Sequence, residues 1–129
     1  MRSYAVLRTA SPYIPPVALM LVIFALSAQP DLSTGLGGWD TLLRKLAHMA
    51  EFGLLWWLWL RALGGTPRAA AAACAVALAY AATDELHQAF VDGRDGSPVD
   101  WAIDAAGVGI AVALWARRTR RYSQPRSVA

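Results

Sequence analysis

The sequence predicts an all-α fold, a four-helix bundle integral to a membrane with both termini cytoplasmic. Three observations predict it. The chain is 57% hydrophobic and 16% charged, where soluble domains carry about 25% charged residues. Four apolar stretches, near residues 13–28, 40–63, 68–91 and 98–116, each approach the roughly 20 residues that cross a bilayer. Finally, charge sorts by side once those stretches alternate in direction. All 9 acidic residues and both histidines fall on one side. Arg2, Arg8, Arg61, Arg68, Arg117, Arg118, Arg120, Arg121 and Arg126 fall on the other, leaving Arg44, Lys45 and Arg94 with the acids. Basic residues concentrate on the cytoplasmic side of membrane proteins, so the arginine-rich side is the inner one.

The elements follow in order. The first stretch opens at Pro15-Pro16, which suits a helix start because proline has no amide hydrogen to donate. Arg2 and Arg8 before it and Ala25-Leu26-Ser27 at its end also fit a cleaved signal peptide; the spanning helix is the reading adopted. Pro30, Gly35, Gly37 and Gly38 break the chain before the second stretch, and Gly64-Gly65-Thr66-Pro67 separates the second from the third. The turn-forming run Asp92-Gly93-Arg94-Asp95-Gly96-Ser97-Pro98 precedes the fourth. There Ser97 or Asp95 is the expected cap, and Pro98 lies in the first turn. Trp39 and Trp101 then fall near the outer interface, Trp59 and Trp115 near the inner one. At 129 residues the chain reads as one domain, 1–129, with a basic cytoplasmic tail at 117–129.

The formal charge is +3 and the pI about 9.5. This excess is terminal and arginine-rich, which fits anionic lipid of the inner leaflet rather than nucleic acid. The single cysteine, Cys74, excludes an intrachain disulfide.

Polar residues inside the apolar stretches carry the functional signal. In the second stretch Arg44 and His48 are four apart, and Lys45, His48 and Glu51 are successively three apart. These spacings place them on one helix face. The expectation is that this stripe faces the bundle while Leu54, Leu55, Leu58 and the tryptophans meet lipid. Glu51 lies deepest, ~16 Å along the axis from Asp40. An unpaired charge at that depth costs at least ~2.5–3.5 kcal/mol. Glu51 is therefore expected to pair with Lys45 or His48, to be protonated, or to bind a metal ion. In the third stretch Tyr80, Asp84 and Gln88 share a face. The adjacent Glu85 points about 100° away, so one of the two acids is expected to turn toward the fourth stretch, and His87 lies off the stripe. In the fourth, Asp100 and Asp104 are four apart and precede Gly107, which lets a neighbouring helix approach closely. Polar groups can also serve only as glue between helices, but so many at one end exceed what glue requires.

Two segments carry a resemblance. One is Arg44-Lys45-Leu46-Ala47-His48-Met49-Ala50-Glu51-Phe52-Gly53-Leu54. The other is Thr83-Asp84-Glu85-Leu86-His87-Gln88-Ala89-Phe90-Val91-Asp92-Gly93-Arg94, continuing to Asp100. With their Lys-x-x-His pair, Asp-Glu-x-x-Gln-x-Phe block and Gly-Arg turn they resemble the VanZ-like family of small bacterial membrane proteins. Ser27-Ala28-Gln29-Pro30 is similar to that family's loop after its first helix. The resemblance runs roughly from Phe24 to Leu114. Asp104 departs from it, since the family usually carries asparagine there. The resemblance implies a multi-pass protein of the bacterial inner membrane, from a family named for a role in resistance to teicoplanin, a glycopeptide antibiotic. It supplies no mechanism.

The expected site is a polar pocket facing the extracytoplasmic side. Lys45, His48, Glu51, Asp84, Glu85 and Gln88 are the catalytic candidates. Gln29, Arg94, Asp100 and Asp104 are the candidates for substrate contact. A divalent metal is one option, with Glu51, Asp84, Glu85, Asp100 and His48 as its candidate ligands, because carboxylates suit magnesium or calcium and a histidine admits zinc or manganese. Three functions stay open. An enzyme would act on a lipid-linked or envelope molecule, with Glu51 or Glu85 as general base and Lys45 and Arg94 holding an anionic group. A binder would hold membrane lipid, a lipoglycopeptide or a partner protein without chemistry. A proton-coupled carrier would need an oligomer and a polar path inward. The inner halves of the helices offer no such path, since only Cys74 and the terminal arginines are ionisable there.

Overall fold

The computed structural model describes residues 11–30, 35–94 and 96–123. Among them the chain is all helical. After a 3-10 turn at Ser11–Tyr13 come α1 (Ile14–Ser27), α2 (Gly38–Ala62), α3 (Pro67–Gln88) and α4 (Pro98–Ser123). Prolines stand in the first turns of α1 and α3. Thr66 caps α3 by accepting the Ala69 N–H at 3.1 Å, and Ser97 Oγ accepts the Asp100 N–H at 3.1 Å at the start of α4. Asp95, the other expected cap, lies outside the described residues, as do Arg2, Arg8, Asp31 and Arg126.

Two boundaries differ from expectation. α3 stops at Gln88 rather than near residue 91, because the turn-forming run already governs the backbone there. α4 continues to Ser123 through Arg117, Arg118, Arg120 and Arg121. Arginine is a good helix former and interacts favourably with a helix C-terminus, so half of the expected tail is helix.

α2 packs most extensively on α4 and next on α3, while α1 and α4 each rest on both α2 and α3. The α2–α4 contact is close because it is glycine on glycine. A Cβ on Gly107 would overlap the Met49 carbonyl, and one on Gly53 would come 3.0 Å from the Gly107 carbonyl. The α2–α3 contact is large on small. Ala70, Ala73, Ala77 and Ala81 recur at helical spacing, are buried, and admit Phe52 and Trp56 of α2. Trp56 donates its indole N–H to the Ala70 carbonyl at 3.2 Å.

This corrects one expectation. Leu55 and Trp56 are not free to meet lipid; they form the core with Leu60, Phe52, Ile23 and Val108. The polar stripe of α2 occupies only its first half, so beyond Glu51 the same inward face must be filled by apolar side chains. Leu54 and Trp57 do face outward.

The outer surface is apolar. Leu21, Phe24, Leu46, Ile110 and Leu114 are each at least half exposed. α3 and α4 are long and apolar enough to cross a membrane, and Ser11–Ser27 is a shorter apolar helix. α2 has the length, 25 residues, but its first half carries Asp40, Arg44, Lys45, His48 and Glu51.

Candidate functional site

The C-terminal ends of α1 and α3 meet the N-terminal halves of α2 and α4 at one end of the bundle, and the polar residues converge there. Two of the cavities at that end share a wall. A polar one of about 250 Å³ is lined by Thr41, Arg44, Lys45, His48, Glu85, Gln88, Gly93, Arg94, Asp100, Ile103 and Asp104. Its neighbour, about 240 Å³, is lined by Leu26, Ser27, Asp40, Leu43, Arg44, Ala47, His48, Glu51 and Arg94. Arg44, His48 and Arg94 belong to both, so two guanidiniums and an imidazole form the partition between a polar and a more apolar compartment.

The polar groups sort into three sets. In the first, Lys45 Nζ lies 3.0 Å from Asp100 Oδ1, while Ser97 Oγ donates to Asp100 Oδ2 at 2.8 Å. Both oxygens of Asp100 are thus occupied. In the second, buried behind the cavity wall, Ser27 Oγ donates to Asp84 Oδ2 at 2.9 Å. Gln88 Nε2 reaches the same oxygen at 3.1 Å and Ser27 Oγ at 3.3 Å. This set joins α1 to α3. In the third, His48 Nδ1 lies 3.2 Å from Asp104 Oδ1, and Glu85 is close by. The His48 contact falls short of an aligned hydrogen bond, since neither buried oxygen of Asp104 has a hydrogen-bond partner. Glu85 Oε2 accepts the Ser97 N–H at 3.0 Å, which leaves Oε1 buried without one.

Arg94 has a structural duty as well as a place on the partition. Its Nε donates to the Gln29 carbonyl at 3.0 Å and its Nη2 to the Leu26 carbonyl at 3.1 Å, satisfying the frayed end of α1. Partial burial, then the like charge of Arg44, pull its guanidinium below the ordinary value, with Asp84 and Glu85 opposing. Arginine remains protonated regardless. Arg44 makes no hydrogen bond or ion pair within 4 Å among the described residues.

The candidates read from sequence therefore separate. Lys45, His48, Glu85, Gln88, Arg94, Asp100 and Asp104 line the polar cavity. Glu51 lines the neighbouring one and pairs with neither Lys45 nor His48, whose partners are Asp100 and Asp104. Asp84 is buried and lines neither cavity. Gln29 turns its amide back to the Ala25 carbonyl at 3.3 Å and lines neither cavity. As a metal-ligand set, Glu51, Asp84, Glu85, Asp100 and His48 are not brought together. The group that converges is His48, Glu85 and Asp104, whose ligand atoms all lie within 4.8 Å of one another. The remaining carboxylates are drawn off by Lys45, Ser27 and Gln88 or lie in the other cavity. His87 stacks on Phe24, ring centroids 4.5 Å apart, and lines neither cavity.

Sequence reasoning missed Ser27 and Thr41 as site residues. Ser27 is 57 residues from its partner Asp84, and no local spacing reports such a pairing. Thr41 was legible, one helical turn before Lys45.

A family model described as VanZ/LLP1 matches residues 5–119. No curated protein and no solved structure shows a significant match to the chain.

Proposed function

Starting from the fact that the chain belongs to the VanZ/LLP1 family, we propose that it is a multi-pass protein of the bacterial inner membrane. Its extracytoplasmic pocket takes the anionic headgroup of a lipid or lipid-linked envelope molecule. The observation that carries this reading is the shared partition. Arg44, His48 and Arg94 stand between a cavity with Thr41, Lys45 and Gln88 and one with Leu26, Leu43 and Ala47. An amphipathic ligand would set its phosphate or carboxylate against the guanidiniums, where charge-assisted bonds are strongest. Its polar part would fill one cavity and its apolar part the other.

The many large apolar side chains exposed on α1, α2 and α4 support membrane insertion, because soluble proteins seldom expose extensive apolar surface to water. The sorting of arginines supports cytoplasmic termini. An oligomer is compatible with this reading and is not required by it.

His48 and Glu85 equip the pocket for acid–base chemistry, so an enzyme acting on the bound headgroup is the second reading. Mass spectrometry of envelope lipids and cell-wall precursors from wild-type, deletion and Glu85→Gln strains separates the two. Under the enzyme reading one species accumulates in both altered strains. Under binding alone, only the deletion changes lipid or glycopeptide retention, and precursors keep their masses. If neither strain changes lipids, precursors or teicoplanin susceptibility, the envelope role is wrong.

A further inference from the structure

We infer that His48, Glu85 and Asp104 form a binding site for one first-row divalent cation, zinc or manganese, at the floor of the polar cavity. Three observations carry this. First, the three side chains come from three helices, α2, α3 and α4, and each offers a ligand atom within 4.8 Å of the others. Ligands bonded at about 2.1 Å to one tetrahedral ion are ~3.4 Å apart. Side-chain movements of up to about 0.8 Å toward the centre would therefore close the site.

Second, the oxygens are buried and lack aligned hydrogen bonds, Asp104 Oδ1 meeting only His48 Nδ1 at 3.2 Å. Asp104 is 0% exposed and Glu85 7%. Asp104 Oδ1 and Oδ2 and Glu85 Oε1 all lack hydrogen-bond partners. Buried polar atoms are nearly always satisfied, and unsatisfied ones call for a specific occupant. A cation supplies what all three need at once.

Third, the surroundings are arranged as around a metal ligand. Glu85 is held through its other oxygen by the Ser97 N–H, the kind of outer bond that orients ligating carboxylates. The nearby Asp100 is already neutralised by Lys45, so it does not compete for the ion. One nitrogen and two carboxylates suit zinc or manganese better than calcium, which takes six to eight oxygens.

The inference goes beyond headgroup binding and does not depend on it, and the test uses metal alone. Tag-free protein, purified in detergent and stripped with chelator, is dialysed against zinc or manganese, and metal is counted per chain. One equivalent is expected in the wild type. Asp104→Asn and Glu85→Gln, both near-isosteric, should weaken binding about a hundredfold or more, since even an outer-shell change costs 10–100-fold. Asp100→Asn should bind as the wild type does. Helical circular dichroism of each variant confirms that loss of metal is not loss of fold.

No stoichiometric metal in the wild type overturns the inference. The three groups would then share protons among themselves, and headgroup binding through Arg44 would stand unaffected. Binding that survives both Asp104→Asn and Glu85→Gln also overturns it, by placing the ion elsewhere.

Discussion

Arg44 and Arg94 show how two like residues on one wall come to do different work. Arg94 spends two donors on the carbonyls of α1. Arg44 spends none on the described residues, and it faces both cavities. Arg44→Gln should therefore leave the fold intact while weakening retention of an anionic lipid about tenfold to a hundredfold, the effect of losing one charged hydrogen bond. Native mass spectrometry of the detergent-solubilised protein reads this directly, and unchanged lipid retention would show that Arg44 holds no headgroup. At this scale the sequence showed which residues are costly in a membrane but not how they pair. The stripe of α2 was legible from spacings of three and four. The choice of Asp100 for Lys45 and Asp104 for His48 was not, because those partners are more than fifty residues away. Asp104 also places a second acid beside Glu85, and its carboxylate completes the converging group.

The elements are held together by small residues at chosen places. Gly107 of α4 sits against the Met49 carbonyl of α2 with no room for a Cβ, whereas Gly109, two residues on, faces open space. The same substitution should thus have opposite signs at the two positions. Gly107→Ala should destabilise by about 1–3 kcal/mol, the usual range for overpacking. Gly109→Ala should be neutral or stabilising by up to ~1 kcal/mol, because alanine is the better helix former. Thermal unfolding in detergent distinguishes them, and equal effects would mean that α2 and α4 do not approach closely at Gly107. The role of Gly107 was readable from its position after Asp104. The alanine face of α3 was not, because a run of alanines has no period of its own. Only the fit of Phe52 and Trp56 shows which alanines are inside.

For the whole molecule, the alternation of four helices sends the polar cavities to one end and the arginines in the last turns of α4 toward the other. If all four helices span, a cysteine at Leu36, exposed before α2, and one at Ser123, at the end of α4, lie on opposite sides of the membrane. In a Cys74→Ala background, an impermeant thiol reagent should label Leu36→Cys in intact cells and Ser123→Cys only after permeabilisation. Labelling of both in intact cells would refute the four-span topology, and the reverse order would refute cytoplasmic termini. By itself the sequence determined the helical class, the number and approximate limits of the helices, and the sorting of charge. Each of these is local: helix starts and stops rest on capping and turn residues, helix length on the apolar run, and the sorting of charge on position along the chain. Only the tertiary structure decided which carboxylates are neutralised by partners and which converge unpaired, that Leu55 and Trp56 are core, and that one wall divides two cavities. Those outcomes depend on contacts between helices far apart in the chain, and no periodicity within one helix encodes them.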